Sequence, residues 1–463
     1  MRSIMKLVKG NYIYCFLIFQ PILDIIAYFQ QGSAVSLAGN IRLLFTLGIP
    51  LYTLIKTPKK KKFLCIMGVI FLFSCLHIAN GFRVGYISFF QDVKYLLLVL
   101  HMPMLAISFI FLDDEKMEKQ IPRAFFTNFI IITCVVFVSY ITKTGNSTYL
   151  DYNFGWTGWF AIPNAQSIIL VTLIPFTLYI ALLHFSMWKI LIVNSIIVLM
   201  LVFNGTRTAY YSIYLISVGY IIFFVFDYLL KGRKKRNFVY ILIFCLSIIL
   251  GKAFYDISPR ASMDNTYENA REEEQKELDQ IQQESEIFEE VKNKQEIDRK
   301  QKLYEKYLNK NLVKKFGYDR VIQEYGENPT AADFSDVRFA KRIYAKLTWE
   351  KCDYLTRIVG FQYPEMQNFD LENDPAAIFY YYGYLGAFLY LVFLGYFALR
   401  IVKKVIYNFY ESTDLFNFTL LCTLLLEIGL AFNSGYLVRR PNVSVYMAAI
   451  IVLCFQRTKI NNR

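Results

Sequence analysis

Apolar residues fall in twelve long blocks, at roughly 12–29, 41–55, 63–79, 93–112, 125–141, 166–184, 187–203, 209–230, 237–255, 376–399, 415–434 and 441–456. Blocks of about 17–25 apolar residues are long enough to cross a bilayer as helices. The pattern therefore predicts an all-α, polytopic membrane protein of about 12 transmembrane helices. The first block follows a basic stretch at 1–9, yet it holds Pro21 and Asp24 and lacks a small-residue cleavage site. It reads as a retained helix and not as a signal peptide.

One polar interval is much longer than the others. It divides the chain into a membrane domain at 1–255 (spans 1–9), a large, mostly helical loop at 256–374, and a second membrane portion at 375–463 (spans 10–12). Within the loop, 268–312 is rich in Glu, Gln and Lys and has neither Gly nor Pro. This predicts one or two exposed helices, with Leu278, Ile281, Phe288 and Val291 as a partial apolar stripe. The segment 333–374 mixes aromatic, basic and acidic residues closely and is the expected active-site segment. No repeat of 20–50 residues is visible.

Charge gives these elements a direction. The net charge is +13, but its distribution argues against a nucleic-acid partner. On alternate sides of the spans, one set of short segments holds 22 Lys/Arg, including "KTPKKKK" at 56–62 and "KGRKKR" at 231–236. The other set holds five: Arg83, Lys143, Arg207, Arg439 and Arg440. That asymmetry predicts a protein of the cytoplasmic membrane with both termini inside and the loop 256–374 outside. The basic runs are then topology anchors that can also meet anionic lipid. Seven of the eight cysteines lie in apolar blocks and only Cys352 lies outside them, which leaves no disulfide framework. His77, His101 and His184 are scattered, so no Cys/His metal cluster and no cofactor is expected.

Ionisable residues in or beside membrane spans point to function. Asp24, Arg42, Lys94, Lys252 and Glu427, together with the arginines of the short outer loops, gather at the outer level. Few acids stand against them there in sequence, although snorkelling explains Arg42, Lys94 and Lys252 individually. A cationic pocket at that level suits a lipid-borne diphosphate, because arginine grips phosphate oxygens bidentately. The segment 143–165 adds Tyr152, Trp156 and Trp159, which serve equally as interfacial anchors or as surfaces for sugar rings.

Four stretches carry a resemblance to a known family. Three are "FQPILDIIAYF" at 19–29, "GWFAIPNAQSIILVTLIPF" at 158–176 and "NGTRTAYYS" at 204–212. The fourth is "VRFAKRIYAKLTWEKCDYLTRIVGFQY" at 337–363, followed by "LENDPAAIFYYYGYLG" at 371–386 as the tenth span opens. In order and topology the chain resembles the O-antigen ligase and O-antigen polymerase superfamily of bacterial envelope glycosyltransferases, in its Gram-positive type. The resemblance implies a metal-independent enzyme that polymerises or transfers undecaprenyl-diphosphate-linked oligosaccharide repeat units at the outer face of the membrane, in capsular or cell-wall polysaccharide biosynthesis. It implies that Arg207 and Arg338 contact the donor diphosphate, with Arg83, Arg439, Asn164 and Trp159 as further substrate-binding residues. Glu372 and Asp374 fall where ligase members place a histidine, a departure that favours polymerase over ligase and makes these two carboxylates the catalytic candidates. A carboxylate among basic neighbours titrates low, which weakens it as a base but not as an orienting group. Pro375 predicts that the tenth span begins there, with Asp374 at or near its N-cap and Glu372 outside it. Membrane lipid and other polysaccharide-assembly proteins are the remaining expected partners. The alternatives are a ligase and, in another class, a flippase of the same lipid-linked glycan.

Overall fold

A computed structural model describes residues 11–30, 36–112, 115–149, 152, 154–231, 235–288, 307–326, 329–366, 369–409 and 413–458. Each apolar block forms one helix. The first nine are α1 (Tyr12–Phe29), α2 (Leu37–Lys56), α3 (Lys60–Val84), α4 (Phe89–Leu112), α5 (Met117–Thr142), α6 (Pro163–His184), α7 (Met187–Asn204), α8 (Arg207–Lys231) and α9 (Lys235–Ala253). The loop carries α10 (Pro259–Phe288), α11 (Lys310–Phe316), α12 (Tyr318–Tyr325), α13 (Ala331–Ser335), α14 (Val337–Glu350) and α15 (Tyr354–Val359). The last spans are α16 (Asp374–Tyr407), α17 (Leu415–Asn433) and α18 (Pro441–Arg457). Ten of the twelve apolar helices are long and apolar enough to cross a membrane, and two, Asn237–Ala253 and Pro441–Arg457, are shorter. Among the described residues the only β-pairing is two isolated bridges, Asn146 with Gly158 and Tyr149 with Phe154. The fold is an all-α, multi-pass membrane protein.

α6, α4 and α18 are apolar nearly all round and buried along most of their length, which puts them at the centre of the bundle. α16 is little buried along its apolar stretch and lies at the periphery. α10 covers Leu278, Ile281 and Phe288 of the expected charged helix, whereas Val291 and the stretch 289–306 lie outside the described residues.

Consecutive helices run in opposite directions, so their connections collect at two ends. At one end Tyr28 donates to the Thr144 carbonyl (2.5 Å), Arg83 pairs with Asp353 (2.7 Å), and Asn373 donates to the Phe432 carbonyl (2.7 Å). The large loop sits at this loop end. At the other, basic end, Arg457 pairs with Glu118 (2.8 Å) and Arg400 donates to Thr458.

Arg42 does not snorkel. It is buried, and its Nη2 donates to Asp24 (2.9 Å) and to the Gln20 carbonyl (3.0 Å). An arginine in a membrane is tolerated when it is paired inside the bundle. Lys94 and Lys252 are exposed, as snorkelling predicts.

Candidate functional site

The loop-end connection between α17 and α18 carries Gly435 and Arg439. Gly435 has φ +63°, and a Cβ there would come within 2.3 Å of the backbone of Glu372 and Asn373. Glycine is what lets this connection lie directly on the segment before α16. Arg439 then reaches into that segment with all five N–H donors engaged. Nε donates to Asp374 (2.9 Å), and Nη1 donates to Asp370 (2.5 Å) and the Tyr95 hydroxyl (3.0 Å). Nη2 donates to the Leu371 and Gly435 carbonyls. The second Asp374 oxygen accepts the Val438 N–H at 2.9 Å. Side-chain exposures of 3% for Arg439 and 1% for Asp374 make this a closed internal pair. Arg439 therefore has no donor left for the binding role expected of it, and Asp374, expected to be catalytic, is closed off from solvent. The N-cap of α16 is Asn373, whose side chain accepts the Ala376 N–H (2.8 Å).

Glu372, one residue before that cap, points the other way. α14 starts at the N-cap Asp336, which accepts the N–H groups of Arg338 and Phe339. Three residues apart on one helical face, Arg338 and Lys341 both reach Glu372. Arg338 Nε lies 2.8 Å from one carboxylate oxygen and Lys341 Nζ lies 2.7 Å from the other. Burial pushes the Glu372 pKa up, but Lys341 and Arg338 together outweigh it and hold the carboxyl below its ordinary value. Arg338 spends only Nε on this contact. Its Nη1 and Nη2 make no hydrogen bond among the described residues, and its side chain is 47% exposed. A half-exposed cationic fork beside an ionised carboxylate is thus presented at the loop end.

Arg207 occupies the expected tight turn. Gly205 (φ +80°) ends α7, Thr206 caps α8 through the Ala209 N–H (3.1 Å), and Arg207 is the first residue of α8. The turn is clamped from the segment 143–165. Trp156 N–H donates to the Phe203 carbonyl (2.7 Å), Tyr149 OH donates to the Gly205 carbonyl (3.1 Å), and Trp156 stacks on Phe203 (4.3 Å). Arg207 Nη2 pairs with Asp264 of α10 (3.1 Å), and so does Arg260, with Nε 2.7 Å from the carboxylate. The Arg260 hydrogen bonds, then Arg207, lower the Asp264 pKa to about 2. Arg83 is tied to Asp353 (2.7 Å) and Asn80 (2.7 Å).

The expectation of few acidic partners is therefore corrected: Arg42, Arg83, Arg207, Arg338 and Arg439 each have a carboxylate partner. The structure brings Arg338, Glu372, Asp374 and Arg439 into one neighbourhood. Among the described residues no hydrogen bond or ion pair joins Arg207 or Arg83 to that group. Trp159 lies at the tip of α1, beside Phe29 (5.3 Å), with its indole N–H on Thr144 (2.9 Å), which fits the anchor reading. Asn164 is in the first turn of α6, half-buried, and its side chain makes no hydrogen bond among the described residues.

Several residues were not singled out in sequence. Lys341 could have been found from its three-residue spacing to Arg338. Arg260 and Asp264 sit four residues apart on α10, but Asp264 lies 57 positions from Arg207 and Asp370 lies 69 from Arg439. His77 and Asp92 form a further buried pair (3.1 Å), in which His77 also bonds the Val359 carbonyl (2.9 Å) and Asp92 accepts the Tyr363 N–H (2.7 Å). Together with Gln362, which bonds Gly85 and Ile87, this pair docks the loop on the α3–α4 turn.

Compared with known proteins, residues 8–459 match a family model described as O-antigen ligase like membrane protein, nearly the whole chain. No curated protein matches the sequence.

Proposed function

The chain belongs to the O-antigen ligase like membrane proteins, which makes it a membrane enzyme of envelope polysaccharide assembly, and from there we propose that it polymerises undecaprenyl-diphosphate-linked oligosaccharide repeat units at the outer face of the cytoplasmic membrane. In this reading the basic end faces the cytoplasm and the loop end faces outward. The observation that supports it best is the open Arg338 fork beside Glu372.

The reaction joins the acceptor hydroxyl oxygen to the anomeric carbon of the donor sugar. The bond from that carbon to the diphosphate oxygen breaks, and undecaprenyl diphosphate leaves with the electron pair. Arg338 Nη1 and Nη2 meet the diphosphate oxygens and stabilise the charge that develops on them, with fixed cations in place of a metal. Arg207, more exposed and paired only with Asp264, supplies a second cation to the same diphosphate. Glu372 orients the acceptor hydroxyl. The hydroxyl becomes strongly acidic as its new C–O bond forms, so a carboxylate of lowered pKa suffices to take the proton late in the step. Asp374 and Arg439 hold Glu372 in place from below and do not touch substrate.

The test uses purified protein with labelled lipid-linked repeat units. Arg338→Lys keeps the charge but loses the fork, so polymer should fall by about 100-fold or more while lipid-linked single units accumulate. Glu372→Gln should abolish transfer and leave donor binding intact or tighter, because Arg338 and Lys341 lose their internal counter-charge. Wild-type chain length in Arg338→Lys would reject the diphosphate role. A product attached to a different acceptor, with no chain growth, would move the assignment to a ligase.

A further inference from the structure

A groove of about 720 Å³ lies away from the loop end, between α3, α4 and α16, and reaches α18 at the basic end. Its walls are apolar, with Val69, Phe73, Leu96, Leu100, Leu389 and Phe393 among them. The upper end is closed: a Cβ on Gly386 would lie 3.1 Å from the Phe73 ring, and Phe73 and Tyr382 are both buried. The lower end is open, because Lys59, Lys62, Cys65, Ile66 and Tyr396 line it and are exposed. Lys59 and Lys62 share one face at the start of α3, and neither has a carboxylate partner among the described residues. Arg400 also lines the mouth and bonds only uncharged groups, Tyr396 and Thr458.

An apolar gap of this size inside a bilayer does not hold water, and an empty gap forfeits the dispersion contacts of its walls. A hydrocarbon chain fills it. The cations at the open mouth select the head group. We infer that the groove binds an anionic phospholipid of the leaflet at the basic end, its acyl chain between α3, α4 and α16 and its phosphate on Lys59 and Lys62. The lipid seats α16, which touches its neighbours here at Gly386–Phe73 and through the Tyr390 hydroxyl on the Val99 carbonyl. The same helix carries Asp374 at its far end, so the bound lipid steadies the site without entering it. The inference is independent of the reaction proposed above.

The test is native mass spectrometry of the full-length protein titrated with palmitoyl-oleoyl-phosphatidylglycerol, with phosphatidylcholine as the neutral control. Wild type should retain phosphatidylglycerol and gain thermal stability from it. Lys59→Gln/Lys62→Gln should bind it roughly thirtyfold more weakly, on the scale of two lysines' attraction to anionic lipid. Lys60→Gln/Lys61→Gln, equal in charge but outside the groove lining, should bind it as wild type does. Leu389→Trp should displace the lipid by filling the groove. Equal losses in the two lysine pairs would show general surface attraction and overturn the site. Equal retention of both lipids, or retention of a polyprenyl phosphate in preference, would overturn it too.

Discussion

Two arginines at the loop end differ in how many of their donors the protein itself consumes, and in the proposed reaction that difference separates support from chemistry. Arg439 has five donors and five internal acceptors, so removing it leaves Asp374 and Asp370 without their counter-ion. Breaking a buried ion pair in this way costs about 3–5 kcal/mol. Arg439→Met should accordingly lower the unfolding temperature sharply in detergent, whereas Arg338→Lys should not move it. Asp374→Asn belongs with the first group. A sequence reading that places Asp374 at or near the helix cap would let asparagine replace it freely, but the capping bond comes from Asn373, one residue earlier, and the Asp374 charge serves Arg439. This variant should be destabilised, and wild-type stability would remove the charge-pair assignment. Acid has a residue-scale signature as well. Asp264 is held at about 2, below its ordinary 3.8, so its pairing with Arg260 and Arg207 stabilises the fold fully above 3.8 and is lost as the pH falls towards about 2. Asp264→Asn should flatten the acid limb of a stability-against-pH curve over that interval.

At the scale of elements, the docking of α15 on α16 depends on two glycines that meet. Gly360 (φ +88°) ends α15, and a Cβ on it would come within 2.1 Å of the Tyr381 carbonyl. Gly383 (φ +65°) interrupts α16, and a Cβ there would come within 2.4 Å of the Ile358 carbonyl. Gly383→Ala must both adopt a left-handed conformation and push α15 away, so at least about 1–3 kcal/mol of stability should be lost. Its activity should fall further than its stability, because α15 leads into the segment that carries Glu372. Near-wild-type turnover would mean that the kink is incidental. The Gly-x-x-Gly at 383–386 was legible as part of the family resemblance, and the twelve helices were legible from apolar block length. Neither revealed the kink. Its cause is a contact between residues more than twenty positions apart, which leaves no periodic trace. The same limit hid the pairing of Asp264 with Arg207, whereas Lys341 lay within reach of simple helical spacing.

For the whole molecule, sidedness is the property on which the proposed reaction depends, and it is testable without turnover. Single cysteines placed at Glu273 and Glu324 should react with an impermeant maleimide in intact cells, and one at Lys403 should react only after lysis. Labelling of Lys403→Cys from outside would put the Arg338 fork on the wrong face for an externally presented donor. The charge bias is what predicts this orientation, and block length made the helix count readable. The closing of the site by the last connection was not readable, because Arg439 meets Asp374 across 65 positions of chain. That separation has a consequence for biosynthesis. Asp370, Glu372 and Asp374 are made, and α16 is inserted, before the residue that neutralises two of those three acids exists. The nascent protein must therefore hold an incomplete, acidic loop outside the bilayer until α17 has crossed, and assembly of the site is timed by the arrival of the final hairpin.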